Sequence, residues 1–259
     1  MSAPEQLQLR VHGDASLPTL IHLPGLHGDW TLVSSFKAAV AGRFRFVEMT
    51  YPRTLEWSLA DYAAHIRAAL REHGITHGWI IGESFGSQIV WPFLQLGEDG
   101  FTVDGVILAG GFVRHPWNWL VRLGHYMNNR WPRWFFRLAL FVYGQYAKLR
   151  HRRAPETLAC ISEFVQRRLE PLDRQAMRHR LALIAANDPR PIAQQTRLPV
   201  FALVGLVDPL VPAVPVLRWL RRNCPGFRDS RLIWRADHNV LGTAPAASAE
   251  QILRWTKAN

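Results

Sequence analysis

The chain has 259 residues, 48% of them hydrophobic, enough to bury a large core and near the upper limit for one compact domain. No run approaches the roughly 18 consecutive apolar residues that a bilayer crossing needs, and the opening residues lack the basic leader and apolar stretch of a secretory signal. The formal charge of +11 lies in one place: residues 113–197 hold 16 Lys plus Arg against 5 Asp plus Glu, whereas the remainder holds 15 of each sign.

These bulk properties predict a soluble, cytoplasmic protein of one domain with an insertion. Two cysteines, Cys160 and Cys224, stand far apart without the spacing of a zinc or redox site, and each reads as a small buried apolar residue.

Strand-like runs rich in branched and aromatic residues are expected at 6–12, 19–23 and 44–50. A helix follows at 58–73, where Leu59, Tyr62, Ala63, Ile66 and Leu70 recur at helical spacing. Ser58 is its expected cap, accepting from the Asp61 amide, with the Asp61 carboxylate favouring the positive end of the helix. Further strands are expected at 77–83, 103–109, 199–205 and 231–236. Strands alternating with helices predict an α/β fold with a mostly parallel sheet covered on both faces. The runs HGWIIGE and PVFALVG are almost continuously apolar and are expected near the middle of that sheet. From 113 to 197 the strand signal gives way to helical patterns, which predicts a core of 1–112 plus 198–259 with a helical insertion at 113–197.

The pentapeptide Gly82-Glu83-Ser84-Phe85-Gly86 stands between a predicted strand and a helical run starting at Ser87, the setting of a nucleophile elbow. So sharp a turn presents the Ser84 hydroxyl at a helix N-terminus, where free amides favour developing negative charge. Asp208, in LVDPLVP after the strand at 199–205, is the expected acid. Its role would be to accept the Nδ1 proton of a histidine and fix the tautomer, although a turn or capping role suits it equally. His238, in ADHN after the last predicted strand, is the expected base among eleven histidines, and Asp237 is the rival acid.

On GESFG, VGLVDPLVP and ADHN, in that order, the sequence resembles the α/β-hydrolase superfamily over nearly its whole length. The resemblance implies that 113–197 is a cap or lid and that catalysis runs through an acyl-enzyme on Ser84 without metal or organic cofactor. It also implies an oxyanion hole made by the amide of Phe85 and one from His22-Leu23-Pro24-Gly25-Leu26-His27-Gly28-Asp29. Pro24-Gly25 takes the place of the family's usual His-Gly pair, which makes Leu26 the preferred donor; a register shifted to His27-Gly28 would make it Asp29.

The expected function is hydrolysis of carboxylic esters with small to medium acyl or aryl groups. Thioesterase, lactonase, carbon–carbon bond hydrolase and acyltransferase readings share the same serine, and a non-catalytic binding module is a further alternative. In the insertion, Trp117, Trp119, Trp131 and Trp134 alternate with Arg114, Arg122, Arg130, Arg133 and Arg137, beside Phe135 and Phe136. Three readings compete: packing of a lid onto the core, an apolar pocket with arginines for an anionic group, and attraction to an anionic membrane surface. No nucleic-acid motif accompanies the charge.

Overall fold

In a computed structural model, which describes residues 6–97, 100–130, 133–150, 158–159, 162, 165 and 171–258, the strand-like runs pair into one seven-stranded sheet. The strands are β1 (Gln8–His12), β2 (Thr19–Leu23), β3 (Arg45–Thr50), β4 (His77–Glu83), β5 (Thr102–Ala109), β6 (Val200–Gly205) and β7 (Phe227–Ile233). Their order across the sheet is β1-β3-β2-β4-β5-β6-β7, with β1 antiparallel to β3 and every other pair parallel.

Strand alternation explains how a continuous apolar run serves two cores. On one face Ile21, Ile80, Val106 and Ala202 meet α2 (Leu59–Glu72), α3 (Gly86–Gln95) and α8 (Ala213–Asn223), through residues such as Ile66, Ile89 and Leu220. On the other, Leu20, Ile81, Ile107 and Leu203 meet α1 (Ser34–Val40), α9 (Val240–Thr243) and α10 (Pro245–Lys257), through Phe36, Leu241 and Ile252. Between β5 and β6 run α4 (Asn118–Arg130), α5 (Arg133–Arg150), α6 (Pro171–Ala186) and α7 (Arg190–Gln195). No strand lies there among the described residues.

Two expectations need correction. The run at 199–205 was expected near the middle of the sheet, but β6 is sixth of seven; only β4 is central. Apolar runs report cover on both faces, which α8 and α10 also supply near an edge, and carry no information on lateral position. The last strand is Phe227–Ile233 rather than 231–236. As an edge strand it is largely exposed, so FRDSRLI lacks the apolar run that marks the others.

Helix α2 begins as expected. Ser58 accepts from the Asp61 amide at 3.2 Å and the Asp61 carboxylate accepts from the Ser58 amide at 2.8 Å, a reciprocal box that satisfies two donors at the helix start. These bonds from the Ser58 hydroxyl and amide hold the Asp61 carboxyl below its usual range. Replacing Ser58 with Ala should lower unfolding stability by about 1 kcal/mol, read as a lower urea midpoint at unchanged m-value.

Candidate active site

Strand β4 ends at Glu83 and α3 starts at Gly86, so the chain must reverse direction within two residues. Ser84 accomplishes this at φ 47°, the only non-glycine residue in the left-handed region among those described. The residues two positions to either side cannot carry side chains: a Cβ on Gly82 would come within 2.7 Å of the Val90 methyl, and one on Gly86 within 2.1 Å of the Leu23 carbonyl oxygen. The Ser84 amide donates to the Ala109 carbonyl at 3.2 Å, and the Ser87 hydroxyl donates to the Ser84 carbonyl at 2.6 Å. Ser84 thus stays partly open while Glu83, Phe85 and Gly86 on either side are buried.

The exits of β6 and β7 are bonded together. The Leu206 amide donates to the Ile233 carbonyl and the Val207 amide to the Ala236 carbonyl, each at 3.1 Å, and side-chain-free Gly205 lets Asp237 approach. Asp208 and His238 meet across this junction, with His238 Nδ1 donating to Asp208 Oδ2 at 2.8 Å. The other ring nitrogen, Nε2, lies 2.8 Å from the Ser84 hydroxyl oxygen. Asp208 Oδ1 accepts the amides of Leu210 and Val211 at 2.8 and 2.9 Å, so the turn role and the histidine contact coexist in one carboxylate; the helix that follows starts only at Ala213. The rival acid, Asp237, faces its own loop and accepts from the Asn239 amide and the Thr243 hydroxyl. Burial pushes the His238 imidazole down, but the hydrogen bond and charge of Asp208, with the charges of Glu83 and Asp237, outweigh it and hold the ring above its usual range.

The loop after β2 lies directly against the serine: a Cβ on Gly25 would stand 3.5 Å from that of Ser84. Gly25 and Gly28 close a tight turn, the Gly28 amide donating to the Gly25 carbonyl at 2.9 Å. Because N–H and C=O point oppositely in a trans peptide, this bond turns the Leu26 amide the other way. Neither the Leu26 amide nor that of Phe85 is used in a hydrogen bond among the described residues.

Arg180, from α6, enters this loop from behind and is buried. Its guanidinium donates to the carbonyls of Leu26 (3.1 Å), His27 (2.9 Å) and Pro52 (3.1 Å), and its Nε to the Tyr62 hydroxyl at 3.3 Å. The rigid fork of an arginine suits four acceptors spread over two loops and a helix. Gly28 is obligatory here, since a Cβ would lie 2.2 Å from the guanidinium. His179, one residue earlier, donates to the Trp57 carbonyl at 2.8 Å, a second bond between α6 and the core.

No family model and no curated protein matches the sequence. Solved structures do match in shape over nearly the whole chain. An esterase from Exiguobacterium antarcticum aligns with a TM-score of 0.77 at 15% identity, over 97% of this chain and 95% of its own. A thermophilic esterase from Thermogutta terrifontis gives 0.75 at 18%, over 97% and 93%. The enol-lactonase from Burkholderia xenovorans gives 0.74 at 17%, over 97% and 96%. The chain has the α/β-hydrolase fold.

Within this α/β-hydrolase core, several site residues gave no sequence signal. His22 Nε2 and Glu83 Oε2 form a buried pair at 2.9 Å directly behind Ser84. Burial would push the Glu83 carboxyl up, but the hydrogen bond from His22 and the charges of His22, His27 and His238 outweigh it and hold the carboxyl below its usual range. His115 donates from Nε2 to the Leu210 carbonyl at 3.0 Å and accepts the Trp117 amide at Nδ1, bracing the Asp208 turn as a neutral ring. Burial keeps its pKa below the ordinary value. Among the described residues no group of three or more His, Cys, Asp or Glu side chains is placed to hold a metal. Cys224 is buried as expected, with burial pushing its thiol up; Cys160 and Trp131 lie outside the described residues.

Replacing Arg180 with Met would leave three carbonyls without their donor in a buried place, at a cost of about 3 kcal/mol or more. Chemical denaturation should show that loss, and hydrogen exchange should show faster exchange at Leu26–Gly28 than in the parent protein.

Proposed function

We propose that the protein is a serine hydrolase of carboxylic esters with small to medium acyl or aryl groups, acting through an acyl-enzyme on Ser84. The observation that carries this reading is the unbroken hydrogen-bonded series from the Ser84 hydroxyl through His238 to Asp208, with both contacts at 2.8 Å. In it Asp208 fixes the tautomer with the proton on Nδ1, leaving Nε2 to accept the Ser84 proton. The serine oxygen then attacks the ester carbonyl. The carbonyl oxygen becomes an oxyanion facing the amides of Leu26 and Phe85. His238 returns the proton to the departing alkoxide, and the same steps with water release the acid and restore the serine.

Leu26 is favoured over Asp29 as donor because Gly25 is the residue lying against Ser84. The buried Asp29 carboxylate accepts the amide and hydroxyl of Thr31, within its own loop. We read 1–112 with 198–259 as the catalytic core and 113–197 as a cap. A lactone is an internal ester and would traverse the same intermediate; one structural neighbour is named an enol-lactonase.

Two measurements test the reading. A series of p-nitrophenyl esters from acetate to palmitate should show highest activity below about eight carbons. Replacing Ser84 with Ala should reduce kcat by roughly 10³-fold or more, and a fluorophosphonate should label the parent protein at Ser84 only. Absence of both turnover and labelling would leave a binding module.

The pH profile gives an independent check. His238 must be neutral to act as base, and Asp208, Glu83 and Asp237 favour its protonated form. Activity should therefore be lost on acidification at a pH above the roughly 6.5 of free imidazole. With Asp208→Asn the acid limb of kcat/KM should move down, and kcat should fall by about 10⁴-fold, the size of loss known for the equivalent change in a serine protease triad.

A further inference from the structure

The charge of the insertion and its exposed apolar side chains share one stretch of sequence. From residue 105 to residue 155 the sequence has nine Lys plus Arg and no Asp or Glu. Helices α4 and α5 lie inside this span. Along α5, Trp134, Leu138, Phe141, Val142 and Leu149 recur at intervals of three, four and seven, the spacing of a single helix face. In a helix packed on a core such a stripe is buried. Here it faces outward, with Trp134 64%, Phe141 61% and Leu149 73% exposed. On α4, Val121 is buried, whereas Trp119, at 63% exposed, and Leu123 face outward beside the exposed Arg122.

We propose that the outward face of α4 and α5 docks on an anionic lipid surface, with the helices lying in the membrane plane. Three observations select this partner. Exposed apolar surface of this extent is a binding surface rather than ordinary solvent cover. Aliphatic side chains such as Leu138, Val142 and Leu149 interleaved with tryptophan need a hydrocarbon boundary, which a nucleic acid backbone does not offer. A span of cations without a single carboxylate repels a second copy of itself and is attracted to phosphate headgroups, for which the exposed Arg122 and Lys148 are available. No helix among the described residues is long and apolar enough to span a membrane, so the contact is peripheral. The inference does not depend on which bond the protein cleaves.

The test is flotation of the full chain with vesicles of phosphatidylcholine alone or with roughly 30 mol% phosphatidylglycerol. Binding is expected only to the anionic vesicles, with strong weakening at about 0.5 M salt, where surface charges are screened. The double substitution Phe141→Ser with Leu149→Ser should reduce binding about tenfold or more. Trp234→Ser, which removes a tryptophan that is 73% exposed on the core, should leave binding unchanged. Circular dichroism and thermal melting establish that each variant is folded. A second variant, Arg122→Glu with Lys148→Glu, keeps the apolar stripe and should lose both anionic binding and its salt dependence. Equal binding to both vesicle types would overturn the proposal, as would wild-type binding by the folded stripe variant. So would a stripe-dependent dimer in light scattering, or retention of duplex DNA, in a protein that ignores the vesicles.

Discussion

Every other feature of the site is arranged around one backbone constraint, the reversal at Ser84. A non-glycine residue at φ 47° costs on the order of 1–3 kcal/mol, and it persists only where the surroundings determine it more strongly. Here they do so from three sides. Strand β4 is the central strand, α3 is packed against β4, the end of β5 contributes the Ala109 carbonyl, and the loop after it contributes, through the Phe112 amide, a bond to the Ser87 hydroxyl. Relaxing Ser84 would drive side-chain or backbone atoms into space that Gly82 and Gly86 leave with no margin. The hydroxyl is therefore fixed before anything binds.

The remaining groups are then placed by the chain geometry that a parallel sheet imposes. All parallel strands deliver their C-terminal ends to one edge, so the exits of β2, β4, β6 and β7 converge there without any two being close in sequence. What differs between them is electrostatic. Glu83 and Asp208 are both hidden carboxylates, yet Glu83 is hydrogen-bonded to His22 whereas Asp208 is aimed at His238 and two amides. At Glu83 burial works against the charge, and the hydrogen bond from His22 with the nearby histidines outweighs it. The net negative surroundings favour an imidazolium at His238, the species that the proposed mechanism forms when the serine gives up its proton.

Features set by local chemistry were legible in the sequence: the glycines flanking Ser84, the cap at Ser58, and Asp208 and His238, each just beyond a strand. His238 could be chosen from eleven histidines because position after the last strand selects it, even though the ends of that strand were misplaced by several residues. What could not be read is contact between distant segments. Nothing in MRHRLAL distinguishes Arg180 from fifteen other cations of the insertion, because its acceptors are backbone carbonyls at Leu26, His27 and Pro52. His22 and Glu83 were visible only as loop and motif letters, since their pairing follows from the register of β2 beside β4. The lateral place of β6 was misjudged for a related reason: hydrophobicity encodes how deeply a strand is covered, not which strands flank it.

Arg180 also ties the helices between β5 and β6 to the loop beside Ser84. Helix α6 is tied at one end of its reach to the loop carrying Leu26, and along its flank it packs on α4, with the Asn118 side chain donating to the Ala185 carbonyl at 3.0 Å. Asn187, just beyond α6, donates to Gln88 of α3, whose amide nitrogen in turn bonds the carbonyls of Phe112 and Val113, just after β5. A displacement of α4 relative to the sheet must therefore be absorbed within α6 or passed to Leu26 and Gln88, both beside Ser84. Since the guanidinium is buried and holds three carbonyls at once, it cannot yield by small degrees. The structure couples the outer helices to the loop carrying Leu26 through Arg180, and to α3 through Asn187 and Gln88.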